Sequence, residues 1–221
     1  MSATKDERAV IVISDLTELP PEKDKLYTFI ERAGRAVCET LLKSNYADYV
    51  TLYDASATKA NLVQTLQTIG AKPTIKAIDL IVMLHGSTNR LGFKGGSYKT
   101  DILATDIAAL NLRGKLRLVY STACFGSSHN DDFRNAGFNT SIGARKVNTN
   151  AAAELPAILQ LWVSGQKIKD SLAVAENPFT RDAADAAAKL FADFNNLSYK
   201  NNIDSDKVLA GSGQLTINSN G

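Results

Sequence analysis

The chain has 221 residues but only two cysteines, Cys38 and Cys124, and only two histidines, His85 and His129. So few thiols exclude a disulfide framework. A domain of this length does not need one, because at about 200 residues a globular chain buries roughly 70% of its extended surface. Metal and cofactor signatures are missing too. No cluster of residues has metal-ligand spacing, and no G-x-G-x-x-G fingerprint occurs. Gly92, Gly95 and Gly96 lack the pattern of a phosphate-binding loop, so turn geometry explains them, and no cofactor is expected. No apolar run approaches the roughly 18 residues of a membrane span. The start, MSATKDERAV, is polar and holds no secretory segment. The expectation is a cytoplasmic protein that does not engage a membrane. Charge of one sign is also absent: 25 Lys and Arg face 23 Asp and Glu, well mixed, for a net charge of +2. That leaves no basic stripe for nucleic acid and no acidic tail. What remains is ordinary globular usage, 44% hydrophobic and 22% charged, expected to form a single domain over residues 1–221.

Hydrophobic patterning organises the chain as strands alternating with helices. Residues 9–14 (AVIVIS) form a β-branched run closing at Asp15, read as a buried strand. Pro20 and Pro21 mark a loop. Leu26, Phe29, Ile30, Ala33, Val37 and Leu41 then recur at helical spacing, with Cys38 beside that stripe as a small core residue. Strands are predicted at 49–53, 77–84 (AIDLIVML), 116–121 (LRLVYS) and 138–142, with a final one at 208–217 weakened by its glycines. Helices are predicted at 58–69, 105–110, 129–135, 151–163, 167–175 and 181–194. Residues 91–99 read as a glycine-centred hairpin. Runs such as 77–84, apolar without alternation, belong to strands covered on both faces. The predicted fold is α/β, a three-layer sandwich in which helices flank both faces of a mainly parallel central sheet.

In such a sheet ligands gather outside the carboxyl ends of the strands. His85-Gly86 terminates one predicted core strand, and Thr122-Ala123-Cys124 follows the next. Neighbouring strands would bring an imidazole beside a thiol, the arrangement nucleophilic catalysis needs, since a nearby imidazolium favours the reactive thiolate. Taken singly, each residue reads as an edge histidine or a small core cysteine. Their coincidence on consecutive strand ends makes them the candidate pair. His129 is expected in a surface loop, Trp162 in the core, and Asp131-Asp132 at the start of a helix, where carboxylates complement the dipole.

The blocks LIVMLHG (80–86) and LRLVYSTACFG (116–126) resemble the cysteine peptidases that include caspases, metacaspases, legumains, gingipains and separase. Ala123, Cys124 and Gly126 match the Q-A-C-x-G signature, with Thr122 in place of glutamine. His85 precedes Cys124 by 39 residues, against about 50 in the caspase signature. The order after the cysteine, through AGFNTSIGARK and KIKDSLAVAEN, is most similar to the compact CHAT-type branch. The resemblance covers residues 9–177; from Pro178 onward nothing aligns.

It implies that Cys124 attacks a peptide carbonyl and that His85 protonates the leaving amine. The oxyanion would lie against backbone N–H groups of Gly86 and Cys124, and no third triad member is evident. In this group the side chain before the cleaved bond enters a pocket lined partly from the end of the first strand. Asp15 would then select Lys or Arg, with Thr122 as a further lining residue; alternatively Asp15 caps the following turn. The implied partner is a protein or peptide substrate. A catalytically silent interaction module and an unrelated α/β domain remain open alternatives.

Overall fold

The alternation of apolar runs and amphipathic segments is realised in one continuous sheet. The computed structural model describes residues 2–16, 21–197 and 199–221, with side chains described outside 21–26; Pro20 and the Leu26 side chain, named above, lie outside these. The strands are β1 (Arg8–Asp15), β2 (Asp48–Tyr53), β3 (Ala77–Ser87), β4 (Arg90–Phe93), β5 (Gly96–Lys99), β6 (Leu116–Ser121), β7 (Thr140–Ala144) and β8 (Lys207–Gly211). The helices are α1 (Pro21–Leu42), α2 (Lys59–Gly70), α3 (Thr100–Ala108), α4 (Asn130–Ala136), α5 (Ala151–Val163), α6 (Ile168–Ala175) and α7 (Pro178–Phe194).

Strand order is β2-β1-β3-β6-β7-β8, with the β4–β5 hairpin attached to the end of β3. Along that order every pairing from β2 to β7 is parallel and β8 runs antiparallel to β7; the attached β4 and β5 pair antiparallel as well. The mainly parallel sheet predicted from sequence is the one observed. One face packs Ile11, Ile13, Leu80, Val82 and Val119 against Leu66 of α2, Ile107 of α3 and Phe133 of α4. The other packs Val10, Val12, Ile81 and Tyr120 against Cys38 of α1, Ile158 and Trp162 of α5 and Ile168 of α6. Both faces are therefore dry, which is why β1 and the first eight residues of β3 are buried throughout. Each such aliphatic side chain contributes about 1.5–3 kcal/mol when removed from water.

Several expectations are corrected. The buried face of α1 is Gly34, Cys38 and Leu42, one residue round from the expected stripe, and Phe29 is 66% exposed. The helix approaches the sheet closely on that face: a Cβ on Gly34 would lie 2.7 Å from Met83 Sδ of β3 and push that side chain aside. Pro21 opens the helix rather than the loop before it, a position where its missing N–H costs nothing. β3 does not end at His85-Gly86; it runs on to Ser87, where 85–87 pair antiparallel with β4. α3 begins at Thr100, five residues early, and β8 stops at Gly211.

Candidate active site

β3 and β6 are adjacent and parallel, their register ending at Val82 opposite Ser121. The Thr122 N–H then donates to the Val82 carbonyl at 2.9 Å, carrying the pairing one residue further before the chain turns at Ala123. Beyond this point the two backbones touch. A Cβ on Gly86 would overlap the Cys124 carbonyl oxygen and lie 2.9 Å from the Ala123 Cβ, so any side chain there would force the strand ends apart. Gly86 thus brings the segments carrying His85 and Cys124 together at the carboxyl edge of the sheet.

Both side chains are half-buried. The His85 ring lies 5.1 Å from the Tyr27 ring of α1, tilted by 58°, and its Nε2 is 3.1 Å from the Leu16 carbonyl oxygen. A carbonyl can only accept, so Nε2 carries the proton in that bond and Nδ1 of the neutral ring is free to take another. The backbone after β1 therefore supplies an orienting group for the ring. Burial, and then the nearness of Cys124, push the Tyr27 phenol up to about 12, so it remains a neutral wall beside both residues.

Burial also raises the Cys124 thiol above its ordinary value; the Asn148 backbone N–H, the Lys207 charge and the N–H of Cys124 itself pull the other way without prevailing. A thiol held this way rests protonated and reacts only once a base has taken its proton. Asn148 also donates from its side chain to the Thr122 carbonyl at 3.1 Å, holding the turn from both sides. Phe125, directly after the cysteine, sits at φ 55°, a left-handed conformation costly for an aromatic residue and kept only where surroundings over-determine it.

Thr122 lines a small cavity of about 30 Å³ with Leu16, Ile30, Gly34, Met83 and Leu155, on the face covered by α1 and α5. Asp15 does not share it. Ser14 turns toward α1, where its hydroxyl donates to Glu31 at 2.6 Å, and alternation directs the next side chain to the opposite face. Asp15 is buried there, across from Leu84 in the β1–β3 register. The structure thus brings together His85, Gly86, Cys124 and Thr122, and sets Asp15 apart from the Thr122 cavity.

His129 requires a correction. It is fully buried rather than a surface-loop residue, in the 3-10 turn Gly126–His129, and its Nε2 lies 2.9 Å from the Ser87 carbonyl. Next to it, Ser128 Oγ accepts from the Asn89 N–H at 2.9 Å. These two bonds strap the loop after the cysteine to the strand end after the histidine. Sequence reasoning also missed Lys207, whose fully buried Nζ lies 3.3 Å from the Ser121 carbonyl and 3.4 Å from Glu154 Oε2. A signal existed: Glu154 is the one charged residue in the largely apolar α5, and such a group, once buried, needs a cation.

No protein family and no curated protein matches this sequence. Comparison of structures gives a different answer. The crystal structure of caspase-1 from Spodoptera frugiperda superposes with a TM-score of 0.59 at 13% identity, covering 99% of this chain and 92% of that one. The fold is that of a caspase. The superposed span takes in the residues after Pro178 that no sequence pattern aligned. Among the described residues, no helix is long and apolar enough to cross a membrane.

Proposed function

We propose that this chain is a cysteine endopeptidase acting on protein or peptide substrates, with Cys124 as nucleophile and His85 as its acid–base partner. The observation carrying the reading is the contact of the two strand ends at Gly86, with the His85 ring already oriented by the Leu16 carbonyl. In the first step Cys124 Sγ bonds to the substrate carbonyl carbon while its proton passes to His85 Nδ1. The oxyanion so formed is stabilised by the backbone N–H groups of Gly86 and Cys124. Collapse breaks the C–N bond, and the leaving amine takes the proton from His85. Water then attacks the thioester, giving a proton to His85, and the thiol is regenerated as the acid departs. The order of elements after Cys124, helix α4, strand β7, then helices α5 and α6, favours the compact CHAT-type branch within the group.

Selection of Lys or Arg before the cleaved bond belongs to this proposal and rests on Asp15, a buried carboxylate one residue from the Leu16 that holds His85. A second reading, a catalytically silent interaction module, draws on the raised thiol pKa of Cys124 and the small size of the cavity beside Thr122. Cleavage of a mixed peptide library separates them. The intact protein is expected to cut after Lys or Arg, Asp15→Asn to lose most of that preference, and Cys124→Ala or His85→Ala to lose turnover with an unchanged circular dichroism spectrum. Hydrolysis surviving in Cys124→Ala would falsify the nucleophile assignment; a preference for Asp before the bond would remove the role of Asp15.

A further inference from the structure

Lys207 reaches the turn that carries Cys124 from two strands away. It stands on β8 opposite Ala144 of β7, and so small a neighbour leaves the lysine stem room to cross β7 toward β6. Its buried Nζ lies 5.6 Å from the centre of the Tyr120 ring and 3.3 Å from the Ser121 carbonyl oxygen. That carbonyl closes β6, three residues before Cys124. The turn between them is tight: Ser121 Oγ accepts from the Ala123 N–H at 3.2 Å, and the Thr122 carbonyl accepts from the Asn148 side chain. The compensating carboxylates come from the helices. Glu154, in the first turn of α5, lies 3.4 Å from Nζ and accepts from the Tyr120 hydroxyl. Glu176, at the end of α6, accepts from the Lys207 N–H at 3.1 Å and lies 3.5 Å from Nη1 of Arg181, which also pairs with Asp206 at 2.7 Å. The ammonium is thus the member of this cluster that meets the strand end.

We infer that Lys207 is a positioning residue for the chemistry of Cys124. It anchors the turn through the Ser121 carbonyl, and it holds near the sulfur a positive charge that favours the thiolate left when His85 Nδ1 takes the proton. Being fully buried, it touches no substrate and acts through the cysteine. The inference rests on the reading of Cys124 as nucleophile. A buried ion pair gives a fold no more stability than a well-packed apolar filling of the same space, so stability alone does not account for this charge. Its effect is felt at the sulfur. Burial is the largest influence on the Cys124 thiol and pushes it up, while the Asn148 backbone N–H and then the Lys207 charge pull it down. The phenols of Tyr27 and Tyr199 also stand near the thiol; burial raises both, so neither brings a charge near neutral pH. In so dry a site an ammonium acts on a neighbouring anion far more strongly than it would in water.

Alkylation of the full chain with iodoacetamide over a pH series, with labelled peptides read by mass, follows the Cys124 thiol directly. Cys38, buried and pushed by burial up to about 12, does not interfere. Lys207→Met/Glu154→Gln removes both charges of the pair and strands neither. It is expected to move the midpoint of the pH–rate curve up by about one pH unit, with an unchanged circular dichroism spectrum. Glu154→Gln alone, which keeps the ammonium, is expected to leave the midpoint in place or lower it. If the glutamine form of the double variant does not fold, Lys207→Met/Glu154→Leu, an apolar filling of the same site, reads the same quantity. A midpoint unmoved in a folded double variant would overturn the inference. So would a rise in Glu154→Gln as large as that of the double variant, because the cluster would then serve packing alone. Labelling that behaves as expected in a chain that cuts no peptide would count against the endopeptidase reading and leave the role of Lys207 standing.

Discussion

His129 and Glu176 show how single buried groups set the behaviour of the fold. Burial lowers the His129 pKa from 6.5, while the Ser87 carbonyl and Asp132 partly oppose it. Burial first, and then Glu154, push Glu176 from 4.5 to about 7, with Lys207 and its backbone N–H pulling it down. The two act in opposite senses. Below pH 6.5 the unfolded chain takes up the His129 proton before the folded one does, so stability falls as pH falls. Between pH 4.5 and 7 the folded chain holds the Glu176 proton more tightly than the unfolded one, so stability falls as pH rises. Each single variant should therefore tilt the melting profile its own way. Relative to wild type, Glu176→Gln should gain most near pH 7, and His129→Gln should gain as pH drops below 6.5. Melting curves that stay parallel at every pH would dismiss both assignments. Neither group was legible in the sequence. A histidine in HNDDF and a glutamate at a helix end look like surface residues, and only the tertiary packing of the 3-10 turn on β3, or of α6 near β8, buries them.

At the scale of elements, the sequence was most readable where pattern and packing agree. The helix 151–163 has its predicted bounds because its apolar positions and its exit at Ser164-Gly165 coincide. The strand 138–142 is displaced to Thr140–Ala144, since Phe138 is buried from the preceding turn rather than from the sheet. The site was half legible. His85 and Cys124 could be placed at strand ends, but the carbonyl of Leu16 has no sequence signature, because every residue has one. The interval after Cys124 bears on processing. Only 13 residues lie between Cys124 and Phe138, and the 3-10 turn Gly126–His129 and helix α4 occupy most of them. Asn130 anchors that stretch, donating to the Val208 carbonyl at 3.0 Å and accepting from Ser141 Oγ at 2.8 Å. A protease needs an extended, mobile segment to cut, and none is offered here. The protein is therefore expected to be active as one uncut chain. Intact-mass spectrometry of an active preparation checks this, and activity that appears only after a cut within 124–138 would refute it.

Across the whole molecule, the sheet is locked by a buried ion pair that the apolar reading of its strands passed over. Asp79 stands alone in AIDLIVML and Arg117 alone in LRLVYS, and these opposite charges on neighbouring buried strands were a legible cue. The guanidinium grips the carboxylate with two bonds, Nε to Oδ1 at 2.8 Å and Nη2 to Oδ2 at 2.6 Å, with both side chains essentially inaccessible. Tyr46 donates to the same carboxylate at 2.5 Å and accepts from Trp162 Nε1 at 2.9 Å, which ties in α5. Arg117 also donates to the carbonyls of Ile217 and Ser219, fastening the segment after β8 beneath the sheet. Removing one partner leaves the other charge dry and unpaired, a loss of about 3–5 kcal/mol, whereas replacing both by apolar side chains removes that penalty. Arg117→Met should therefore lower the denaturation free energy by that amount, and Asp79→Leu/Arg117→Met should recover part of it. The pair lies at the amino-terminal end of β3 and β6, away from His85 and Cys124, so activity per folded molecule should be unchanged in both variants. Urea titrations and active-site thiol labelling read the two quantities separately. A single variant costing less than about 1 kcal/mol, or a double variant less stable than Arg117→Met, would show that the pair does not hold the sheet.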